Sequence, residues 1–488
     1  MFKEVKDKAV SGFAWSAIDN LASQGITFVI GIILARLLSP KEFGTLGIAL
    51  IFVGLFNQFV DCGFSNALIR KKNVSYKDYC TAFIFNVVVS LIFCLLCFLL
   101  APFISSFFYE NTELNKVLRW LSIVIIINAI GIIQKTILVR NIDFKTQTKI
   151  SLISSTIGGV IGIVTAYKHC GVMSLVYQQI TRQTINTVLL WFFSQWYPRF
   201  VFSLKSFKYQ FSYGIKLLFS GLIDFVFNES ASIVIGKVYT PATLGQYSRA
   251  KQFSSIFSSN FSGIMQRVTF PVLSQFQDDK AILAQQYRKI VKSLMLISSF
   301  CMLTLACTAK PIILILIGEK WTEAIIYLQI ICFNDMFYPI KQVNLNAIQV
   351  CGRSDLILKV TILKRIIQIV PIVLGIYSIY YMLYGLVIAS VCGLCLNAYF
   401  SSKCIPYSLK EQLFDLARPL GISIIPCFFM YLVTLMNFSL FVQLIMQLVV
   451  GISVFILLVK ITKLSEYYFI KEIIVSIRKR MIYKMKNK

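Results

Sequence analysis

The sequence predicts an all-α protein that crosses a lipid bilayer many times. Of its 488 residues, 57% are hydrophobic and only 14% charged, with a mean hydropathy of +0.75. That leaves too little polar surface for a soluble chain of this length. Apolar runs of about 20 residues, each long enough to span hydrocarbon at about 1.5 Å per residue, recur from one end to the other. The segments between them are short, so no soluble domain of useful size fits.

Taken in order, the candidate spans lie at 12–35, 43–66, 80–103, 117–138, 150–167, 171–193, 211–235, 243–266, 292–309, 323–346, 356–377, 381–401, 413–434 and 438–460, about fourteen transmembrane helices. The first begins in MFKEVKDKAVSGFAWS, which lacks a small-residue cleavage site and reads as a retained helix rather than a removed signal peptide. The fifth is short, and the ninth has room to run past Lys310. The expected organisation is an N-terminal six-helix lobe at 1–208, a C-terminal six-helix lobe at 209–402, two additional helices at 403–460 and a basic tail at 461–488.

Charge orients these spans. The formal charge of +27 raises nucleic acid as a partner, but its distribution favours the membrane and no nucleic-acid partner is expected. With the N-terminus in the cytoplasm, the inner ends collect clusters such as Lys3, Lys6 and Lys8, then Arg70, Lys71, Lys72 and Lys77, then Arg288, Lys289 and Lys292. The outer loops hold only Arg36, Lys41, Lys116, Arg119, Lys168, Lys237, Lys310 and Lys320. The alternation follows the positive-inside rule through every span and places both termini inside. The tail from Arg478 to Lys488 suits anionic headgroups of the bilayer.

An internal repeat runs through the same pattern. Shifted by 201 residues, RLLSPKEFGTLGIA from Arg36 lies on KVYTPATLGQYSRA from Lys237, so that Pro40 meets Pro241, Gly44 meets Gly245 and Ala49 meets Ala250. Each copy follows an apolar helix and opens the next. The shift covers six helices, an even number, which predicts a parallel repeat about an axis along the membrane normal and two pseudo-symmetric bundles, a transporter arrangement.

Enzyme signals are absent: there is no Gly-rich phosphate loop after a strand, no HExxH and no GxSxG. The longest cytoplasmic loop, about 267–292, carries only Asp278 and Asp279 as an acidic pair. Cys94–Cys97 and Cys392–Cys395 have CxxC spacing but lie inside apolar runs, where a thiol behaves as a small hydrophobe. The one histidine, His169, has no ligand set around it, so no metal is expected.

What remains is a set of ionisable residues inside predicted spans, where charge is costly and usually faces protein or water. By depth, Asp224, Arg182 and Lys364 fall near mid-membrane, and Asp19, Lys216, Arg249, Lys251 and Arg418 about 10 Å from a surface. Lys135 is close enough to the cytoplasm to snorkel. Arg249 and Lys251 are two apart and point to different sides of their helix, with Arg249 on the polar stripe of Ser248 and Gln252. Lys364 and Arg365 either flank one groove edge or snorkel toward Lys359. Polar faces also mark the first helix (Asp19, Asn20, Gln24) and the seventh (Ser220, Asp224, Asn228, Glu229), with a Ser-rich stretch on the eighth. These faces line a path or serve as interhelical hydrogen-bond glue.

Four stretches, in order, carry a family likeness: LARLLSPKEFGTLGIA from Leu34, DCGFSNALIRK from Asp61, LVRNIDFKTQTKIS from Leu138, and GQYSRAKQFSSIFSSNFSGIMQRVTFPVLSQFQDD from Gly245. Over essentially the whole chain the sequence resembles the polysaccharide-export flippases of the multidrug/oligosaccharidyl-lipid/polysaccharide superfamily, close to the colanic-acid-type lipopolysaccharide biosynthesis proteins. The resemblance implies two six-helix bundles around a central V-shaped cavity, plus two C-terminal helices. It implies a flippase that moves oligosaccharide on undecaprenyl diphosphate from the cytoplasmic to the periplasmic leaflet of a bacterial inner membrane by alternating access, during capsular, exopolysaccharide or O-antigen biosynthesis. Its partners would be the lipid-linked oligosaccharide, the bilayer, and the polysaccharide polymerase and chain-length machinery.

A cationic cavity suits that cargo, because Arg and Lys pair with diphosphate. The candidate substrate-binding residues are Arg249, Lys251, Arg182, Lys364, Arg365 and Lys216. No cofactor is expected. Coupling to H⁺ or Na⁺ would fall to a carboxylate, with Asp224, Glu229 and Asp19 as candidates. The alternatives are a cation-coupled multidrug antiporter on the same architecture, which intramembrane basic residues disfavour, and a membrane polysaccharide polymerase or ligase.

Overall fold

The computed structural model describes residues 22–109, 112–274, 276, 279–436 and 438–462, and every regular element among them is helical. Asp19 and the basic tail lie outside the described residues. The molecule is a polytopic α-helical membrane protein, and it forms two compact units that divide between Ser248 and Arg249.

The first unit contains α1 (Ala22–Leu37), α2 (Pro40–Asp61), α3 (Phe64–Arg70), α4 (Tyr76–Phe108), α5 (Thr112–Arg140), α6 (Phe144–Tyr167), α7 (Val172–Ser194), α8 (Leu204–Val238) and the opening of α9 (Pro241–Ser274). Here α6 packs on α7, α5 on both α4 and α7, and α2 on α5 and α8. The second unit holds the rest of α9, then α10 (Lys280–Cys307), α11 (Ala309–Leu316), α12 (Thr322–Asp335), α13 (Tyr338–Val350), α14 (Ser354–Leu374), α15 (Ile379–Ser402), α16 (Leu409–Thr434) and α17 (Leu440–Ile461). In it α14 packs on α15, and α16 on α10 and α17.

Among the described residues, α2, α4, α5, α6, α8, α10, α15, α16 and α17 are long and apolar enough to cross a bilayer, and α1 is a shorter apolar helix. Large hydrophobic side chains such as Phe103 (71% exposed) and Phe219 (61%) stand outward on these surfaces, as a lipid solvent requires. Helices α7, α9 and α14 have spanning length but fall outside that set, α7 and α9 through their Gln, Ser and Thr content and α14 through the charges of Lys359, Lys364 and Arg365. Arg182, Arg249, Lys251, Lys364 and Arg365 lie on these three.

Local chemistry sets the helix starts. Ser75 caps α4 by accepting from the Asp78 amide at 3.3 Å while Asp78 accepts from the Ser75 amide at 2.8 Å, and Ser408 and Glu411 repeat the device on α16. Pro40 and Pro241 stand first in α2 and α9, where a missing amide N–H costs nothing. The loop expected at 267–292 is largely helical, since α9 runs to Ser274 and α10 begins at Lys280, and α10 ends at Cys307 before the separate α11. Two further spans break where the sequence reads as continuous. The run at 43–66 stops at Asp61, because Cys62 (φ 45°) and Gly63 (φ 71°) turn into the left-handed region before α3 begins. The run at 323–346 is two helices, broken at Met336–Phe337. Pro339 has no N–H to continue the ladder across the break.

Candidate functional site

Within the first unit, α2, α3, α5 and α7 line an open cavity of about 360 Å³ with polar groups on its wall. Its floor is the α2–α3 break. The Asp61 carboxylate accepts from the Ser65 amide at 3.1 Å and from the Ser65 hydroxyl, and Thr136 of α5 donates to Ser65 Oγ at 3.0 Å. The turn is close-packed: a Cβ on Gly63 would stand 3.0 Å from Gly214 Cα. An amide relay crosses three helices above it. Gln183 Nε2 of α7 donates to Asn128 Oδ1 of α5 at 2.9 Å, and Asn128 Nδ2 donates to Asn57 Oδ1 of α2 at 3.0 Å. Asn186 and Lys135 complete the polar lining, and Ile132 and Leu190 supply apolar wall.

A second polar cluster lies in the second unit, at the other helix break. Asp335 ends α12, and its Oδ2 accepts from Ser254 at 2.5 Å and from Ser258 at 3.4 Å. Asn334 Nδ2 donates to Asp335 Oδ1 at 2.9 Å. Beyond the break, Lys341 Nζ donates to Ser390 Oγ at 2.7 Å, and Ser390 donates to the Asn334 carbonyl at 2.9 Å. The Lys364 stem lies beside it, since a Cβ on Gly393 would be 3.5 Å from Lys364 Cδ and 4.0 Å from Lys341 Cδ.

The other candidates are spread over both units. Arg249 is buried; its Nη1 donates to Gln252 Oε1, and its guanidinium lies 5.9 Å from the centroid of the buried Trp321 ring. Lys251 is half-buried on the same helix. Arg365 donates to Gln368 Oε1 at 3.1 Å. Arg182 is half-buried on α7, with Gly158 of α6 pressed against its backbone. Lys216 and Asp224 stand on exposed positions of α8, and Glu229 Oε2 accepts from Ser232 at 3.1 Å.

The model of a polysaccharide biosynthesis protein family matches residues 33–326, which include both Asp61 and Arg249. The chain belongs to this family. Among its relatives are the lipopolysaccharide biosynthesis protein WzxC of Escherichia coli (strain K12), 23% identical over 76% of this chain and 76% of that protein, and the teichuronic acid biosynthesis protein TuaB of Bacillus subtilis (strain 168), 25% identical over 72% and 73%. The succinoglycan biosynthesis transport protein ExoT of Rhizobium meliloti (strain 1021) is 27% identical over 64% and 63%. Among solved structures, the fold is similar to the lipid II flippase MurJ in an inward closed conformation (TM-score 0.72, 17% identity, 93% of this chain and 98% of that one). It is also similar to an inward-facing MATE multidrug transporter of the MOP superfamily (TM-score 0.60, 15% identity, 85% and 98%). This family member has a transporter fold and is not an enzyme.

Lys135, Lys364 and the Ser-rich stretch of the eighth span are singled out in the sequence, but most residues of the two polar clusters are not. Asp61 sat inside a motif and at a predicted span end, and its one signal was the Gly two positions on. Lys341 lies within 323–346, which reads as one continuous span; Pro339 is the available sign of the break. Asn57, Asn128, Gln183 and Asn186 are single polar residues in apolar helices, and nothing in one dimension shows that they converge.

Proposed function

We propose that this chain is a flippase that carries oligosaccharide linked to undecaprenyl diphosphate from the cytoplasmic to the periplasmic leaflet of a bacterial inner membrane by alternating access. The observation that carries the reading is membership of the polysaccharide biosynthesis family by a multi-pass protein that keeps arginine and lysine inside its polar spans. A cation held at such depth is costly unless it has an anion to meet. Arg249 is the residue assigned to the diphosphate, because a planar guanidinium grips phosphate oxygens in pairs. Lys251, Arg182, Lys364, Arg365 and Lys216 supply further positive charge. Asp224, Glu229 and Asp19 are the carboxylates assigned to coupling with H⁺ or Na⁺. The names of WzxC and TuaB, which give lipopolysaccharide and teichuronic acid biosynthesis, and of ExoT, which adds transport, support the cargo class. The charge alternation supports cytoplasmic termini. The polymerase and chain-length proteins are the partners that would receive the product.

The test is leaflet exchange in proteoliposomes that contain undecaprenyl diphosphate bearing galactose, read by a membrane-impermeant galactose oxidase. Wild-type protein should expose the inner-leaflet sugar to the enzyme. If only the outer-leaflet fraction is ever oxidised, the flippase reading is lost.

A further inference from the structure

The cavity of the first unit has open hydrogen-bonding capacity of a particular kind. Among the described residues, the Asn57 Nδ2 donors, the Gln183 Oε1 acceptor, the Asp61 Oδ2 acceptor and both ends of the Asn186 amide have no protein partner, and all five groups belong to residues that line the one space. Lys135 adds an ammonium that feels the Asp61 charge but makes no hydrogen bond among the described residues. The groups that are satisfied serve to fix the others: the Gln183–Asn128–Asn57 relay holds the amides in orientation, and Ser65 holds Asp61.

Two ligand classes fit this set poorly. A diphosphate would lie against the Asp61 carboxylate, and one ammonium does not outweigh it. A bare metal ion needs oxygens converging at about 2.3–2.6 Å, whereas amide N–H groups and an ammonium stand around this space. One carboxylate and one ammonium leave the wall close to neutral, with donors and acceptors interleaved. A hydroxyl group both donates and accepts, so a ring of vicinal hydroxyls uses such a wall fully. The volume, about 360 Å³, lies in the range of small-ligand pockets, and Ile132 and Leu190 offer the apolar contact that the C–H face of a pyranose takes.

We infer that this cavity is a sugar subsite, taking a neutral glycosyl residue of the lipid-linked oligosaccharide. The inference rests on the flippase reading, but it assigns glycan selection to the first unit rather than to the cations that hold diphosphate.

The experiment measures binding of two probes to the full-length protein in nanodiscs: undecaprenyl diphosphate alone, and undecaprenyl diphosphate bearing glucose or galactose. Two or three added neutral hydrogen bonds should make the wild type bind the sugar-bearing lipid about tenfold tighter. Asn186→Leu removes a cavity group with no hydrogen-bond partner to lose, and Lys135→Met removes one whose interaction with the protein is the Coulombic pull of Asp61, which Ser65 still holds in place, so the fold should survive. Each should shrink the sugar preference several-fold. Asn57→Leu, which also cuts the relay, should remove it. Equal wild-type affinity for the two lipids, or a preference that survives both single variants, overturns the subsite while leaving the flippase reading standing. Failure to bind either lipid removes both.

Discussion

Gly44 and Gly245, 201 residues apart in the chain, meet backbone to backbone: a Cβ on Gly44 would stand 1.7 Å from the Pro241 carbonyl oxygen, and a Cβ on Gly245 would stand 1.9 Å from the Pro40 carbonyl oxygen. The contact is reciprocal. Each proline opens its helix, each glycine lies one turn on, and the first turn of α2 crosses the first turn of α9 with each proline's carbonyl set against the other helix's glycine. The repeat seen in sequence thus carries a local two-fold contact in space. Without a hydrophobic drive between helices in lipid, close approach through small residues is a main source of association.

Either glycine replaced by alanine must force these turns apart. We expect Gly44→Ala and Gly245→Ala each to destabilise the protein by about 2–3 kcal/mol, the usual range of an overpacked contact that backbone must relieve. The double variant should cost less than the sum, because both substitutions open the same crossing. Thermal unfolding of the four proteins in one detergent gives the cycle, and strict additivity would show that the two glycines do not share a contact.

How much of this was legible beforehand depended on the length scale of each feature. Spans of 20 or more residues leave a periodic hydropathy signal, so the all-helical membrane fold could be read directly. The repeat was legible because proline and glycine at a fixed spacing mark a helix start. The breaks after Asp61 and Asp335 were not, since a two-residue turn vanishes inside an 18-residue average. The cavity was invisible for another reason. Asn57, Asn128 and Gln183 are single polar residues on three separate helices, and only the packing of α2, α5 and α7 brings them into one relay.

Asp415 of α16 is held by three partners. It is 5% exposed and accepts from Arg288 Nη2 at 3.0 Å, from Lys292 Nζ at 2.8 Å and from the Tyr407 hydroxyl at 2.7 Å, tying α10 to α16. Arg288 is partly solvated, which lowers what the pair is worth. Asp415→Asn should still cost about 2–3 kcal/mol by leaving two cations short of a partner, and Tyr407→Phe about 1 kcal/mol. A shift in the midpoint of thermal unfolding is the readout. Unchanged midpoints would show that water replaces the carboxylate without loss.

Asp335 anchors the α12–α13 break to α9 through Ser254 and Ser258. Asp335→Leu leaves the Ser254 hydroxyl and the Asn334 amide without that acceptor, while Ser258 keeps the Ser254 carbonyl at 3.2 Å, and should destabilise the protein by about 2–3 kcal/mol. Asp335→Asn keeps one acceptor oxygen and should lose less. Should the leucine variant prove as stable as wild type, the break is held by packing alone.

Asp224 is assigned to ion coupling, so its charge and not its shape should matter. Asp224→Asn is expected to stop net export in cells at unchanged protein abundance in the membrane. Substrate-lipid affinity in nanodiscs, which does not need coupling, should stay within about twofold of wild type, a margin below 0.5 kcal/mol. Wild-type export by this variant transfers the coupling role to another group.

Arg249 provides the sharpest separation of charge from geometry. It is buried against Gln252 and the Trp321 ring, so its guanidinium plane is already oriented. If that plane grips phosphate oxygens in pairs, a lysine at the same site keeps the charge but loses the fork and the stacking. Arg249→Ala should therefore abolish surface polysaccharide in a host that depends on this chain, and Arg249→Lys should lower it about tenfold rather than restore it, since a charge-assisted hydrogen bond contributes about 1.5–3 kcal/mol. Both variants should reach the membrane in wild-type amounts by immunoblot, which separates lost transport from lost folding. Full activity of Arg249→Lys would mean that a point charge suffices, and full activity of Arg249→Ala would place the diphosphate elsewhere.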